Sequence, residues 1–97
     1  MEKRLSKEAK PKTKKVRFKL YVPEAERVIL AGDFNNWEFD NLLMKRDKKG
    51  AWEATVTLPL GRYEYRFRVD GVWQDDPNAH ERVDNPFGSQ NCIRIVS

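Results

Sequence analysis

At 97 residues the chain is one small domain with a short extension, large enough to bury a modest core without disulfides. Its net charge of +4 is unevenly placed: residues 1–19 hold nine of the 19 Lys and Arg against two of the 15 acidic residues, which leaves the remainder at −3. A nucleic-acid-binding domain carries its cations on the folded face, so this distribution argues against that class.

No apolar run is long enough for a membrane helix, and no apolar stretch follows the charged N-terminus as in a secretory signal. The single cysteine, Cys92, has no intrachain partner, which points to a reducing, cytoplasmic setting.

Residues 1–15, MEKRLSKEAKPKTKK, lack apolar periodicity and read as a solvated, unstructured tail, with the domain over residues 16–97. In VRFKLYV, Val16, Phe18, Leu20 and Val22 alternate with polar residues and Tyr21, the period of a half-buried strand that Pro23 ends. RVILAG is a shorter, more continuously apolar strand, and Gly32 opens the loop that holds Trp37. NLLMKRD is a weaker strand, closed by Lys49 and Gly50. In WEATVTL, Trp52, Ala54, Val56 and Leu58 share one face. In RYEYRFRV, Tyr63, Tyr65, Phe67 and Val69 face one way while Arg62, Glu64, Arg66 and Arg68 face the other. Asp70 and Gly71 form a two-residue hairpin signal leading to a short strand with Val72 and Trp73. DDPNAHERVDNPFGS reads as a loop, and NCIRIV as the last strand. No segment has helical periodicity. The pattern predicts an all-β fold, an immunoglobulin-like antiparallel β-sandwich.

A search for catalytic or metal-binding groups finds little. Asp70, Asp75 and Asp76 lie near one another in sequence, but Asp70 serves a turn, and Asp76 before Pro77 is a common turn start. His80 is the only histidine and lies in a polar loop, while Cys92 opens an apolar strand and reads as a core residue. A nucleophilic triad or a zinc site needs more than this inventory holds. The reading is therefore a non-enzymatic domain with no metal and no cofactor.

The aromatics remain. Tyr63, Tyr65, Phe67 and Trp52 fall in phase with core positions. Trp37 and Trp73 do not: each lies in or beside a polar turn, and the pattern alone leaves open a plug over the sandwich end or a binding platform. An indole face complements the C–H face of a pyranose ring, and two indoles at an angle suit a curved α-glucan better than a flat chain. Arg66, Ser89 and Asn91 are donors and acceptors of the kind sugar hydroxyls need.

VILAGDFNNW, GRYEYRFRVDGVWQDDP and FGSQNCIRIV together resemble carbohydrate-binding module family 48, over about residues 16–96. The ordered combination of G-x-F-N-N-W and Y-x-F-x-V-D-G-x-W-x-x-D-P is specific, where either piece alone is weaker. The resemblance implies an early-set immunoglobulin-like sandwich that binds α-1,4-glucan polysaccharide, such as glycogen or starch, or a malto-oligosaccharide. It puts the family's stacking tryptophans on Trp37 and Trp73. It puts a lysine position on Arg66, a leucine position on Phe87, a threonine position on Ser89 and a sugar-contacting asparagine on Asn91. Arg66 keeps the charge but changes the hydrogen-bonding geometry, and one extra residue precedes Phe87. The alternative reading is a protein-interaction or regulatory domain docking on a glucan-metabolising enzyme.

Overall fold

The computed structural model describes residues 12–38 and 41–97. Among these, eight strands follow in order: β1 (Thr13–Tyr21), β2 (Val28–Gly32), β3 (Lys45–Arg46), β4 (Ala51–Pro59), β5 (Gly61–Val69), β6 (Val72–Gln74), β7 (Glu81–Asp84) and β8 (Gln90–Val96). A single 3-10 turn, Asp33–Asn35, follows β2. One sheet has the order β1, β4, β3; the other has β2, β5, β8, β7, with β6 also on β5. Every pairing is antiparallel. The chain is an all-β, immunoglobulin-like antiparallel sandwich, as its alternation predicts. No helix among the described residues is long and apolar enough to cross a membrane.

Period two explains the packing. Val16, Phe18 and Leu20 of β1 are buried and their neighbours exposed, and β4 faces them with Val16 opposite Val56 and Leu20 opposite Trp52. From the other sheet, Tyr65, Phe67 and Val69 of β5 point inward. The Phe18 and Tyr65 rings meet edge-to-face at 4.9 Å, and Tyr65 meets Phe67 at 5.9 Å. Trp52 is buried, and its indole N–H donates to the Val22 carbonyl at 3.0 Å. Cys92 is buried in the same core.

Three elements differ from the sequence expectation. β1 begins at Thr13 rather than Val16, because Thr13, Lys14 and Lys15 pair with residues 57–59 of β4, and a backbone ladder needs no apolar side chain. The rest of the expected tail, residues 1–11, lies outside the described residues. β7 stands in the middle of the expected 75–89 loop: its residues E-R-V-D offer one apolar side chain, and it pairs with β8 at the sheet edge through the backbone ladder and one side-chain bond, Gln90 Nε2 donating to Asp84 Oδ1 at 3.0 Å. NLLMKRD contains only a two-residue strand, because the segment crosses between sheets. Leu42 accepts from the Leu30 amide and the Met44 amide donates to Val28, each at 2.9 Å, before Lys45 and Arg46 pair with β4.

Two acidic residues do more than shape turns. Asp70 and Gly71 have φ of 49° and 86°, the type I′ hairpin geometry. The Asp70 carboxylate also accepts the Arg27 amide at 2.8 Å and the Glu26 amide at 3.0 Å, which ties the hairpin to the entry of β2. Asp76 is only 3% exposed. Its carboxylate accepts the Tyr65 hydroxyl at 2.6 Å and the Asn78 amide at 2.9 Å. Its own amide donates to the Cys92 sulfur at 3.2 Å.

Burial first, and then the bond to Asp76, push the Tyr65 phenol well above the ordinary tyrosine range. Folded Tyr65 therefore stays protonated where the unfolded chain ionises, so this group's stabilisation is whole below about pH 10 and declines as pH rises above it, by up to about 1.4 kcal/mol per pH unit. Urea unfolding is expected to show Tyr65→Phe less stable by about 1–2 kcal/mol at pH 7, with the gap to wild type narrowing above pH 10. A gap that is constant with pH would contradict this account.

Candidate functional site

The loop after β2 is built around a close approach. A Cβ on Gly32 would stand 2.6 Å from the Glu64 carbonyl oxygen and 2.9 Å from the Phe34 ring, so no side chain fits there. The Asn35 side chain then braces the loop: its oxygen accepts the Gly32 amide at 2.9 Å, and its amide reaches the Leu30 and Glu38 carbonyls at 3.2 Å and Asn41 Oδ1 at 3.0 Å. Asn36 and Trp37 both adopt left-handed backbone, at φ 57° and 60°. Asn tolerates this region; a bulky Trp does so at a cost of about 1–3 kcal/mol. The Trp37 amide closes the loop onto the Gly32 carbonyl at 2.9 Å.

Asp33 fixes the ring. Its Oδ1 accepts the Trp37 indole N–H at 3.0 Å while its Oδ2 accepts the Glu64 amide of β5 at 2.9 Å. Trp73 arrives from another direction, on β6, directly across from Arg68 of β5. The Arg68 and Arg66 guanidinium carbons lie 5.1 and 6.0 Å from its ring centroid, within cation–π range. The two indoles stand 6.3 Å apart with their planes at 64°.

They form one end of a groove of about 370 Å³ that is lined by all six residues expected from the sequence, Trp37, Arg66, Trp73, Phe87, Ser89 and Asn91, together with Asn85 and Pro86. Phe87 is 89% exposed and offers a bare ring at the rim. Arg66 reaches in from the outward face of β5: Nη1 donates to Ser89 Oγ at 3.2 Å, and Nη2 lies 3.0 Å from Asp75 Oδ1 in an ion pair that lacks hydrogen-bond alignment. Its Nε is buried without a hydrogen-bond partner. Asn91 Nδ2 donates to Glu64 Oε1 at 3.0 Å.

Three residues of this arrangement escaped sequence reasoning. Asn85 organises the far wall: Oδ1 accepts the amides of Phe87 at 3.0 Å and Ser89 at 3.2 Å, and Nδ2 donates to Ser89 Oγ at 2.9 Å and Asn91 Oδ1 at 3.0 Å. The Asn-Pro step was its visible signal, since Asn bonds its own backbone two residues on. Asp33 was legible only as a turn residue, and Asp75 had no local signal, because its partner is nine residues back on another strand. Among the described residues no three His, Cys, Asp or Glu side chains gather as a metal-binding group. The groove holds an apolar floor and pre-oriented polar atoms, an arrangement suited to binding.

Residues 5–87 match the family described as Carbohydrate-binding module 48 (Isoamylase N-terminal domain). The chain belongs to this family. The module is similar to the 1,4-alpha-glucan branching enzyme GlgB of Salinibacter ruber, 37% identical over 92% of this chain and 14% of that protein. It is similar to Protein FLOURY ENDOSPERM 6, chloroplastic, of Oryza sativa, 39% identical over 59% of this chain and 12% of that protein. It is also similar to the 5'-AMP-activated protein kinase subunit beta-1 of Rattus norvegicus, 40% identical over 70% of this chain and 24% of that protein. The chain thus spans a quarter or less of the length of these relatives. The family match ends at Phe87, so Ser89 and Asn91 lie beyond it and enter the groove through the pairing of β7 with β8.

Asp33→Ala removes the acceptor of the Trp37 indole N–H and the bond that ties that acceptor to β5. It is expected to cost about 1–2 kcal/mol in stability and to quicken the tryptophan fluorescence anisotropy decay of a Trp73→Phe background. An unchanged decay would show that the ring is held by packing alone.

Proposed function

We propose that this family-48 module binds α-1,4-glucan, as glycogen, starch or a malto-oligosaccharide, by stacking glucose rings on Trp37 and Trp73, without catalysing a reaction. The observation that carries this reading is the pair of indoles at 64° on one open groove. A curved α-glucan presents successive sugar faces at an angle, and each C–H face meets an indole π-face. Arg66, Ser89 and Asn91 supply polar atoms for the hydroxyls, and Phe87 supplies an apolar edge. The similarity to a 1,4-alpha-glucan branching enzyme supports the same substrate class.

Weak to moderate affinity per site follows, because every sugar hydroxyl exchanges water for protein at little net gain. No cofactor or metal takes part in this mode of binding. A second reading, docking on a glucan-metabolising enzyme, draws on the small share of each relative that the chain spans; the two roles are compatible.

Trp37→Ala and Trp73→Ala are each expected to abolish retention on glycogen in affinity electrophoresis, with the amide dispersion of the NMR spectrum showing an intact fold. Wild-type retention in both variants would rule the platform out. Tryptophan fluorescence should change saturably as a malto-oligosaccharide is added to wild type and show no such change in Trp37→Ala.

A further inference from the structure

β1 is the end strand of its sheet: β4 pairs one edge, and among the described residues no strand pairs the other. The direction of its backbone groups can be worked out. The Leu60 amide donates to the Lys12 carbonyl at 3.3 Å, one step beyond the Thr13/Pro59 pair. Antiparallel pairs alternate between hydrogen-bonded and non-hydrogen-bonded positions. In steps of two from Lys12, Lys14, Val16, Phe18 and Leu20 turn their N–H and C=O toward β4, while Lys15, Arg17 and Lys19 turn theirs to the open edge. At one point this direction is directly visible: Arg94 of β8 donates from Nη1 to the Arg17 carbonyl at 3.1 Å.

A groove of about 490 Å³ runs beside this edge, between Arg17 and Lys19 on one side and residues 93–95 of β8 with residues 76–81 on the other. Ile95, 54% exposed, lies on its wall. None of its lining residues lines the tryptophan groove.

Charge selects the occupant. β1 carries four cations and no acid in nine residues. Arg17 and Lys19 share a single carboxylate, Glu53, at 3.5 and 3.6 Å, and Arg94 adds a cation across the groove. Of the acids there, Asp76 is engaged by Tyr65 and Asn78, which leaves Glu81. A second copy pairing through the same edge would set these cations against each other. A nucleic acid offers phosphates but no ladder of N–H and C=O groups.

We propose that the open edge of β1 docks an extended acidic segment of a partner protein, which adds to the sheet as a strand with Asp or Glu at alternate positions opposite Lys15, Arg17 and Lys19. The partner's intervening side chains turn into the groove and are small or apolar. Its amide replaces the Arg94 guanidinium on the Arg17 carbonyl. Because the two grooves share no residue, glucan and partner bind together. This goes beyond the glucan reading and does not depend on it.

The test titrates the full chain with a labelled peptide of alternating Glu and Val. The controls are a peptide of the same composition with its Glu in one block, the alternating peptide N-methylated on the amides that face β1, and an oligonucleotide of equal charge. Saturable binding of the alternating peptide alone is expected, with slowed hydrogen exchange at the Lys15, Arg17 and Lys19 amides. The double variant Arg17→Glu/Lys19→Glu is expected to lose affinity by about tenfold or more. Lys15→Glu, which disturbs no ion pair among the described residues, should weaken binding in the same direction and guards against misfolding of the double variant. Glycogen retention is expected to stay at wild type in Lys15→Glu. Absence of saturation, equal binding of the N-methylated peptide or the oligonucleotide, or wild-type affinity in a folded Lys15→Glu would overturn the proposal. Equal binding of the N-methylated peptide or the oligonucleotide would make the basic strand a general polyanion patch, wild-type affinity in Lys15→Glu would put the peptide elsewhere on the molecule, and absence of saturation would leave the cations only keeping other strands away.

Discussion

Strand β5 carries two obligations at once, and the remainder of the molecule is arranged around them. Its inward residues Tyr65, Phe67 and Val69 fill the core. Its outward residues Glu64, Arg66 and Arg68 reach Asn91, Ser89 and the Trp73 ring. Period two is the only reason both sets can exist on nine consecutive residues. A slip of one position would bury the charges and expose the aromatics together, so the core and the groove share one register. The neighbours enforce it. β2 lies along one edge of β5, and β8 followed by β6 lie along the other. Trp37 hangs from the β2 side through Asp33, and Trp73 from the β6 side. The distance between the two rings is thereby tied to the width of a strand.

The loop that carries Trp37 is locally unfavourable and globally over-determined. Two successive residues with positive φ would not persist in a free peptide. Here Gly32 allows the close backbone approach, Asn35 binds four partners around the loop, and Asp33 holds the indole. The opposite wall follows the same logic, with Asn85 at its centre. Both walls are set by short polar side chains bonded to backbone, which leaves few rotamers to freeze when a ligand arrives.

What the sequence disclosed follows from the range of each interaction. The alternation in β1, β4 and β5 is local, so the sandwich and its core were legible. Trp37 and Trp73 were legible because they break the pattern around them. β7 was hidden because E-R-V-D shows no apolar alternation, and its ladder to β8 uses backbone groups common to every residue. The start of β1 was hidden in lysines for the same reason. Asp76 looked like a turn residue and is one, yet its bond to Tyr65 spans eleven positions and leaves no trace in its neighbourhood. Asp75 and Arg66 are a similar case, invisible until the hairpin of β5 and β6 folds them together.

The indole pair has one more property. Two aromatic chromophores 6.3 Å apart and inclined at 64° are close enough for their electronic transitions to mix, and inclined enough for the mixing to be chiral. The groove therefore carries its own optical signature in the absence of any ligand, one that neither ring produces alone. It reports the mutual orientation of two side chains anchored on opposite edges of one strand, and with it the integrity of the whole outer face.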